Sequence, residues 1–549
     1  MSKTSVAGSL DYCPDVLPLL AAKVGPRQLD INYRFSYISI RDQIVRAQMA
    51  VKALVDTGLV DKDSRRRKGQ EFDLAIFGAG IAGVAAALQA EREGLRFILI
   101  EKDSFPGGIL KSKANRYVST SMYEWPNTTY GSHKFPLRTP ELLGLNIEEW
   151  SLQLEFSKPV RIEEFSDRFV AAVQARVNVW RKNATGREIG SWLVEGAAMT
   201  EATKRTLLDL LSQNNGSMLA SDIKEGEPVR IVYEQAPYPA TTTVWSKYLI
   251  YAVGYGKEQE SLASDGSTKK LEFTHFWAED RVDKEYLGFR SSIRPVAPPN
   301  VLVIGSGDGA LQDALRCLVK CEEAAHPLAI WEALIGQKRD PADILNVCDE
   351  PELQEAMREL LSYDVYSTGG ATWGGSPESF AQLDAAFDKI AQRLVSLLGD
   401  RLAANLQLIV RPDVDSVTIA RREPHFSKAY ALNRFLILLI RRLLDELPHT
   451  VVHPGLRFVD GDVVDAKVSK DKRGGTVSLK SKGILGTFKL IIQRGGIDRS
   501  SDQRIALESA DVGRIELGRI PPPVVAVAPA VREAEKMTGT PAALAAGAA

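Results

Sequence analysis

The chain has 549 residues, 44 % of them hydrophobic and 25 % charged, with a formal net charge of −1. That length exceeds a single hydrophobic core and predicts roughly two to four domains. The near-neutral balance leaves no global field to draw the chain to nucleic acid or anionic lipid, so neither is expected as a partner.

The N-terminus, MSKTSVAGSLDYC, lacks the continuous apolar core of a signal peptide. The dense apolar run FLILLI at 435–440 is far shorter than the roughly 20 residues that span a bilayer. Cys13, Cys317, Cys321 and Cys348 are too few and too scattered for a disulfide framework. These features predict a soluble cytoplasmic protein, with no metal site and with homo-oligomerisation left open.

Residues 1–70 hold one convincing helix, IRDQIVRAQMAVKALVDTG, read as an N-terminal cap or a dimerisation element. The basic cluster Arg65 to Lys68 reads as a solvated linker.

The first chemically explicit stretch begins at Phe72. FDLAIF is a short apolar run suited to a strand buried on both faces. Gly78-Ala79-Gly80-Ile81-Ala82-Gly83 follows as G-x-G-x-x-G. The first glycine serves a tight turn, the second the approach of a pyrophosphate, the third the packing of helix on strand. An alanine-rich helix ends at Gly94, and the strand RFILIE closes on Glu101, 23 positions after Gly78. A carboxylate there can accept hydrogen bonds from an adenosine ribose. Lys102 and the pair Gly107-Gly108 follow at once.

A second unit begins at Pro299 with the run VLVI. Gly305-Ser306-Gly307-Asp308-Gly309-Ala310 gives G-x-G-x-x-A. PLAIWE, read as the next strand, ends on Glu332, and an acid at that place favours NADH over NADPH.

With strand, glycines, helix, strand, acid and Gly-Gly in order, the chain resembles the two-dinucleotide-binding-domain flavoproteins. YLIYAVGY at 248–255, with Ala252 and Gly254, looks like that family's closing strand ending in Ala-Thr-Gly, valine replacing threonine. GLRFVDGDVVDAKV, GGTVSLKS and FKLIIQRGG resemble a strand meander and closing strand of the second domain. The order of these parts is that of the pyridine nucleotide-disulfide reductase branch. The resemblance implies FAD at the first fingerprint and NAD(P)H at the second, in two Rossmann-like α/β domains of three-layer ββα character with helical insertions.

Two departures accompany it. The branch's redox dithiol is missing: Cys317 and Cys321 are four apart on a predicted helix and read as buried apolar cysteines. Family members also finish with a Gly-Asp and a helix beside the flavin, and neither Gly399-Asp400 nor Gly461-Asp462 stands in that place.

The domains are expected at 1–70, 71–295 (FAD, with a helical insertion at about 141–225) and 296–500 (NAD(P), with an insertion at about 340–400). Residues 501–549 form a C-terminal segment. The segment after Gly108 would run over the flavin and concentrates Arg116, Tyr117, Tyr123, Trp125, Tyr130 and His133. Tyr123 and His133 are the catalytic candidates, since a histidine there can relay a proton and a phenol can stack on a ring. His425, Lys428, Asn433 and Arg434 form a second polar cluster, and FTHFWAED at 273–280 a third. The expected activity is hydride transfer from NADH or NADPH, NADH preferred, through FAD to O2 or a small organic acceptor, as a monooxygenase or oxidase. The competing reading is a nucleotide-binding sensor or assembly subunit without turnover.

Overall fold

The computed structural model describes residues 19, 22–31, 39–60, 70–126, 134–135, 151–212, 228–254, 261–262, 271–272, 275–282, 298–320, 326–336, 351–363, 377–448, 451–468, 474–479 and 483–494, with breaks of one or two residues inside some of these. Two parallel sheets, each with an antiparallel meander and a helical layer, organise them.

The first sheet is built from β1 (Gln28–Asp30), β2 (Glu71–Phe77), β3 (Phe97–Ile100), β4 (Trp192–Val194), β5 (Ala197–Met199), β6 (Val229–Gln235) and β7 (Tyr238–Tyr251). Its parallel strands lie in the order β1-β7-β2-β3-β4, and β5-β6-β7 forms the meander. Asp30, Tyr251, Phe77, Ile100 and Val194 stand side by side in one row at the carboxyl edge. β2 is buried at every position but the first, as an apolar strand covered on both faces must be.

The helices of this unit include α1 (Ile40–Asp56), α2 (Ile81–Arg92) and α3 (Ile162–Gly186). Ala85, Ala86, Ala87 and Ala90 of α2 are all fully buried, and these small side chains let α1 pack closely on α2. Gly94, at φ +76°, takes the left-handed position that ends α2.

Residues 141–225 are thus more than a helical lid. They contain the crossover helix α3 and the strand β4 that extends the parallel sheet, together with β5. On the opposite side of the sheet the outermost parallel strand comes from ahead of the fingerprint, edged by the antiparallel strand Lys23–Gly25. β1 ends on Asp30, pairs in parallel with β7, and is followed by α1.

The second sheet has β8 (Asn300–Ile304), β9 (Ser416–Arg421), β10 (Gly455–Asp460) and, after a meander of β11 (Val463–Val468), β12 (Gly475–Leu479) and β13 (Gly483–Phe488), the closing strand β14 (Leu490–Gln493). The parallel order is β10-β9-β8-β14. GLRFVD therefore belongs to the parallel sheet and not to the meander. The helical layer holds α4 (Asp308–Leu318), α5 (Pro327–Ile335), α6 (Pro351–Ser362), α7 (Pro377–Ile409) and α8 (Ala431–Glu446).

PLAIWE is a helix, not a strand. His326 caps it by accepting the Ala329 N–H, Pro327 opens it, and Gly336 closes it in the left-handed region. A six-residue apolar run carries no period of its own, so its caps decide its form. Among the described residues the helices between α4 and β9 consequently begin at Pro327 and end at Ile409, and Gly399-Asp400 lies inside α7. The strand following α4 in the sheet is β9, which ends on Arg421. Among the described residues no helix is long and apolar enough to cross a membrane.

Candidate functional site: two glycine loops joined by a buried charge network

At the first fingerprint, Gly78 sits at φ +95°, and a Cβ there would lie 2.6 Å from the Ala252 carbonyl oxygen. A Cβ on Gly83 would lie 1.8 Å from the Gly78 carbonyl oxygen. By contrast, nothing lies within 4 Å of a Cβ built on Gly80, the cap residue of α2. The loop is thus closed beneath and open above, at a helix N-terminus whose N–H groups suit a pyrophosphate. Ala79, Ile81 and Ala82 complete the turn.

Glu101 lies at the end of β3 with its carboxylate turned to the loop, accepting the Ala79 N–H at 2.5 Å and the Asp103 N–H at 2.9 Å. Lys102 beside it is exposed. Ala252 donates its N–H to Phe77, and Gly254, at φ +78°, carries the chain away beneath the loop. Gly108, at φ +55°, opens a short 3-10 turn. A pair that no sequence motif marked anchors that turn. Arg181 donates to the Phe105 carbonyl at 2.9 Å and pairs with Glu195 at 2.6 Å, while Glu195 accepts the Phe105 N–H at 2.7 Å. An open glycine face, an acid at the strand end and a closed underside are what a dinucleotide such as FAD requires.

The second loop repeats the device. A Cβ on Gly305, at φ +130°, would lie 2.4 Å from the Arg494 carbonyl oxygen and 3.3 Å from the Ala310 methyl. A Cβ on Gly309 would meet the Phe276 ring at 3.1 Å. Ser306 and Ser427 share a hydroxyl contact of 3.2 Å. Asp308 accepts the Tyr430 N–H at 3.0 Å, an Asn433 side-chain N–H at 2.5 Å and a Gln312 side-chain N–H at 2.9 Å. Burial pushes its carboxyl up to about 6, against the pull of these donors.

Glu332 lies on α5 and not at the strand tip, so the ribose acid expected there is displaced. The tip of β9 instead presents Arg421 and Arg422. Arg421 pairs with Asp460 at 2.7 Å and stacks over the Phe458 ring at 4.9 Å. Arg422, 80 % exposed, pairs with Asp462 at 2.8 Å. The signal was present in SVTIARR, an alternating strand ended by two arginines.

The third polar cluster joins the two loops. Ser112 donates to the Trp277 carbonyl at 2.5 Å, and Arg116 donates to the Phe276 carbonyl at 2.9 Å while stacking over its ring at 3.9 Å. Arg116 pairs with Asp313 of α4 at 2.7 Å. Asp313, fully buried, also takes Arg316 at 2.8 Å and Arg494 at 2.7 Å, and Arg316 reaches Asp280 at 2.6 Å. Burial alone would raise the Asp313 carboxyl, but Arg116, Arg494 and Arg316 outweigh it and hold it far below the usual range.

Tyr123 lies beside the second loop. Its ring meets Tyr430 at 4.7 Å and lies under the Arg41 guanidinium at 5.5 Å. Burial and the nearby Asp308 and Asp42 raise its phenol, which stays neutral. Asp42, in the first turn of α1 and donating its N–H to the cap Ser39, accepts the Tyr430 hydroxyl and so ties α1 to the second unit.

His133 and Tyr130 lie outside the described residues. Trp125 is a core residue, packed on Trp331 at 5.5 Å and Phe435 at 5.6 Å, and Tyr117 packs on His326 at 4.9 Å. In the second cluster, His425 pairs with Glu423 and stacks on Phe380, and Arg434 holds Asp384 and the Ser427 carbonyl. Lys428 lies outside the described residues. Among the described residues no three His, Cys, Asp or Glu side chains group as metal ligands.

Residues 73–227 match the family of FAD dependent oxidoreductases. The chain is 32 % identical over 119 residues to a thioredoxin reductase of Ureaplasma parvum, covering 21 % of this chain and 35 % of that one. It is 46 % identical over 52 residues to the sarcosine oxidase alpha subunit of Rhizobium meliloti, 10 % of this chain and 5 % of that one. It therefore spans about a third or less of these curated relatives. The bacillithiol disulfide reductase of Staphylococcus aureus superposes with a TM-score of 0.34 at 11 % identity, over 78 % of this chain and 77 % of that one. The matched residues 73–227 hold the first glycine loop, its acid and the strands around them, so the similarity to FAD dependent oxidoreductases lies on that unit.

Proposed function

We propose that the whole chain is an oxidoreductase that takes electrons from NAD(P)H through FAD and passes them to O2 or a small organic molecule. The observation that carries this reading is the repeated carboxyl-edge device, Ala252 beneath Gly78 and Arg494 beneath Gly305, with the two loops bridged by Arg116 and Asp313. When bound, FAD supplies a two-electron relay between a nicotinamide and the acceptor.

The protein's part is positioning. Gly80 and the N-terminus of α2 receive the pyrophosphate of FAD, and Glu101 holds the ribose. The Arg116 network fixes the strip after Gly108 against the second unit. At the second loop, Arg421 and Arg422 favour a coenzyme with a 2′-phosphate, so NADPH replaces the NADH expected from Glu332. A protein dithiol is disfavoured as acceptor. Cys317 is fully buried on α4 and burial pushes its thiol up to about 12, far from a nucleophilic thiolate. A monooxygenase or oxidase acting in the cytoplasm fits this reading best.

The test follows NADPH and NADH oxidation and oxygen uptake by the purified chain. Turnover with either coenzyme, with O2 consumed or with a small acceptor reduced, supports the proposal. A FAD-loaded chain that oxidises neither coenzyme under any acceptor is a sensor or assembly subunit instead.

A further inference from the structure

We propose that Asp308 takes up a proton when a dinucleotide pyrophosphate settles on the 305–310 loop, so that coenzyme binding is coupled to protonation of this carboxyl. The inference rests on reading that loop as the coenzyme site.

Asp308 opens α4, whose cap residue Gly307 brings no side chain to the helix end. The N–H groups there would hold the pyrophosphate. An ionised carboxylate in that turn opposes a second anion, and in a partly buried setting the repulsion is large. Its hydrogen-bond donors are all neutral: Tyr430 N–H, Asn433 and Gln312. Arg434 on α8, the cation that acts on it among the described residues, is held by Asp384. From the other side come the neutral Tyr123 phenol, with Arg41 over its ring, and Asp42 behind the Tyr430 hydroxyl. Among the described residues nothing in this ring compensates two negative charges at once.

Asn433 supplies the independent observation. It is 3 % exposed, and its side-chain oxygen has no hydrogen-bond partner among the described residues, although its amide lies 2.5 Å from Asp308. That separation is shorter than usual for N–H···O and lies at the short limit of O–H···O. Turning the amide over exchanges its oxygen and nitrogen. A protonated Asp308 then donates to the Asn433 oxygen, which an ionised one cannot do, and the amide nitrogen takes the place the oxygen held. With Asp308 ionised, the amide must face it nitrogen-first and leave its oxygen unpaired. The proton comes from solvent; no other bond changes.

Because binding raises the carboxyl further, affinity is complete below the free-state value of about 6 and falls as pH climbs above it. The experiment is calorimetric titration of the FAD-loaded full chain with ADP-ribose, which carries the pyrophosphate but no phosphate monoester. It is run between about pH 5 and pH 9 in buffers of different ionisation enthalpy. About one proton is taken up per ligand near neutral pH, and Kd rises by up to about tenfold per pH unit above 6. Asp308→Asn binds at pH 8 as tightly as the unmutated protein does at pH 5, without proton uptake. Its melting temperature and FAD content show whether it folds, and the proton count on the unmutated chain stands regardless. ADP-ribose that binds without proton uptake and without pH dependence overturns the inference. ADP-ribose that binds at no pH contradicts the coenzyme reading itself.

Discussion

Replacing Asp313 by asparagine removes a buried anion that Arg116, Arg316 and Arg494 share. Asp313 is fully buried and Arg116 is 2 % exposed, so solvent cannot take over the lost charge. Removing one partner of a buried ion pair costs about 3–5 kcal/mol, because the remaining charge stays desolvated. Asp280 still engages Arg316, which keeps the cost within that range. For a unit of this size, about 2–4 °C per kcal/mol converts the loss into a melting-temperature drop of roughly 6–20 °C. Thermal unfolding followed by circular dichroism reads it directly. The pH dependence adds a second readout. The folded-state carboxyl lies below the unfolded one, so its contribution is complete above about pH 4 and fades as pH falls through the folded value. The gap between Asp313→Asn and the unmutated chain therefore narrows by about 1.4 kcal/mol per pH unit in that acid range. A loss under about 1 kcal/mol at neutral pH would refute the view that this network holds the two units together.

Other substitutions separate folding from binding. Gly83→Ala places a Cβ 1.8 Å from a backbone oxygen and should yield little folded protein, whereas Gly80→Ala meets nothing within 4 Å and should fold normally. The folded Gly80→Ala chain should retain FAD at least about tenfold more weakly, equivalent to about 1.4 kcal/mol, measured by fluorescence titration of the apoprotein. Tyr430→Phe deletes one of the donors to buried Asp42, beside Ser39 and Arg41, and should cost about 1.5–3 kcal/mol in denaturant unfolding. An unchanged midpoint would show that α1 is not tied to the second unit this way. Arg422→Ala breaks only an exposed pair, so stability should hold while KM rises about tenfold for NADPH and not for NADH. Equal effects on both coenzymes would place the 2′-phosphate elsewhere.

The two glycine loops were legible in the sequence because their chemistry is local. A turn, a close approach and a helix start all fall within six residues, and Glu101 follows across one short helix. The second unit was half legible. Its strand, glycines and helix were read as they stand, but β9 comes only after α5, α6 and α7, so the apolar run PLAIWE took its place in the reading. The caps at His326 and Gly336 were the local sign of a helix. β1 could not be foreseen beside β7, since three residues paired across more than two hundred positions leave no periodic trace. Nor could Asp313, which looks like any polar residue on an amphipathic helix until Arg116 and Arg494 are brought to it by different strands. Trp125 misled for the opposite reason: an aromatic residue in a polar loop suggests a ligand, whereas here it fills the core between α5 and α8.

The most direct test is an anaerobic absorption titration of the purified full chain with NADPH. One FAD per chain, its visible band bleached by a single equivalent of NADPH, is the predicted result. A chain that binds no FAD even on reconstitution, or whose bound FAD stays oxidised in excess NADPH and NADH, would contradict it.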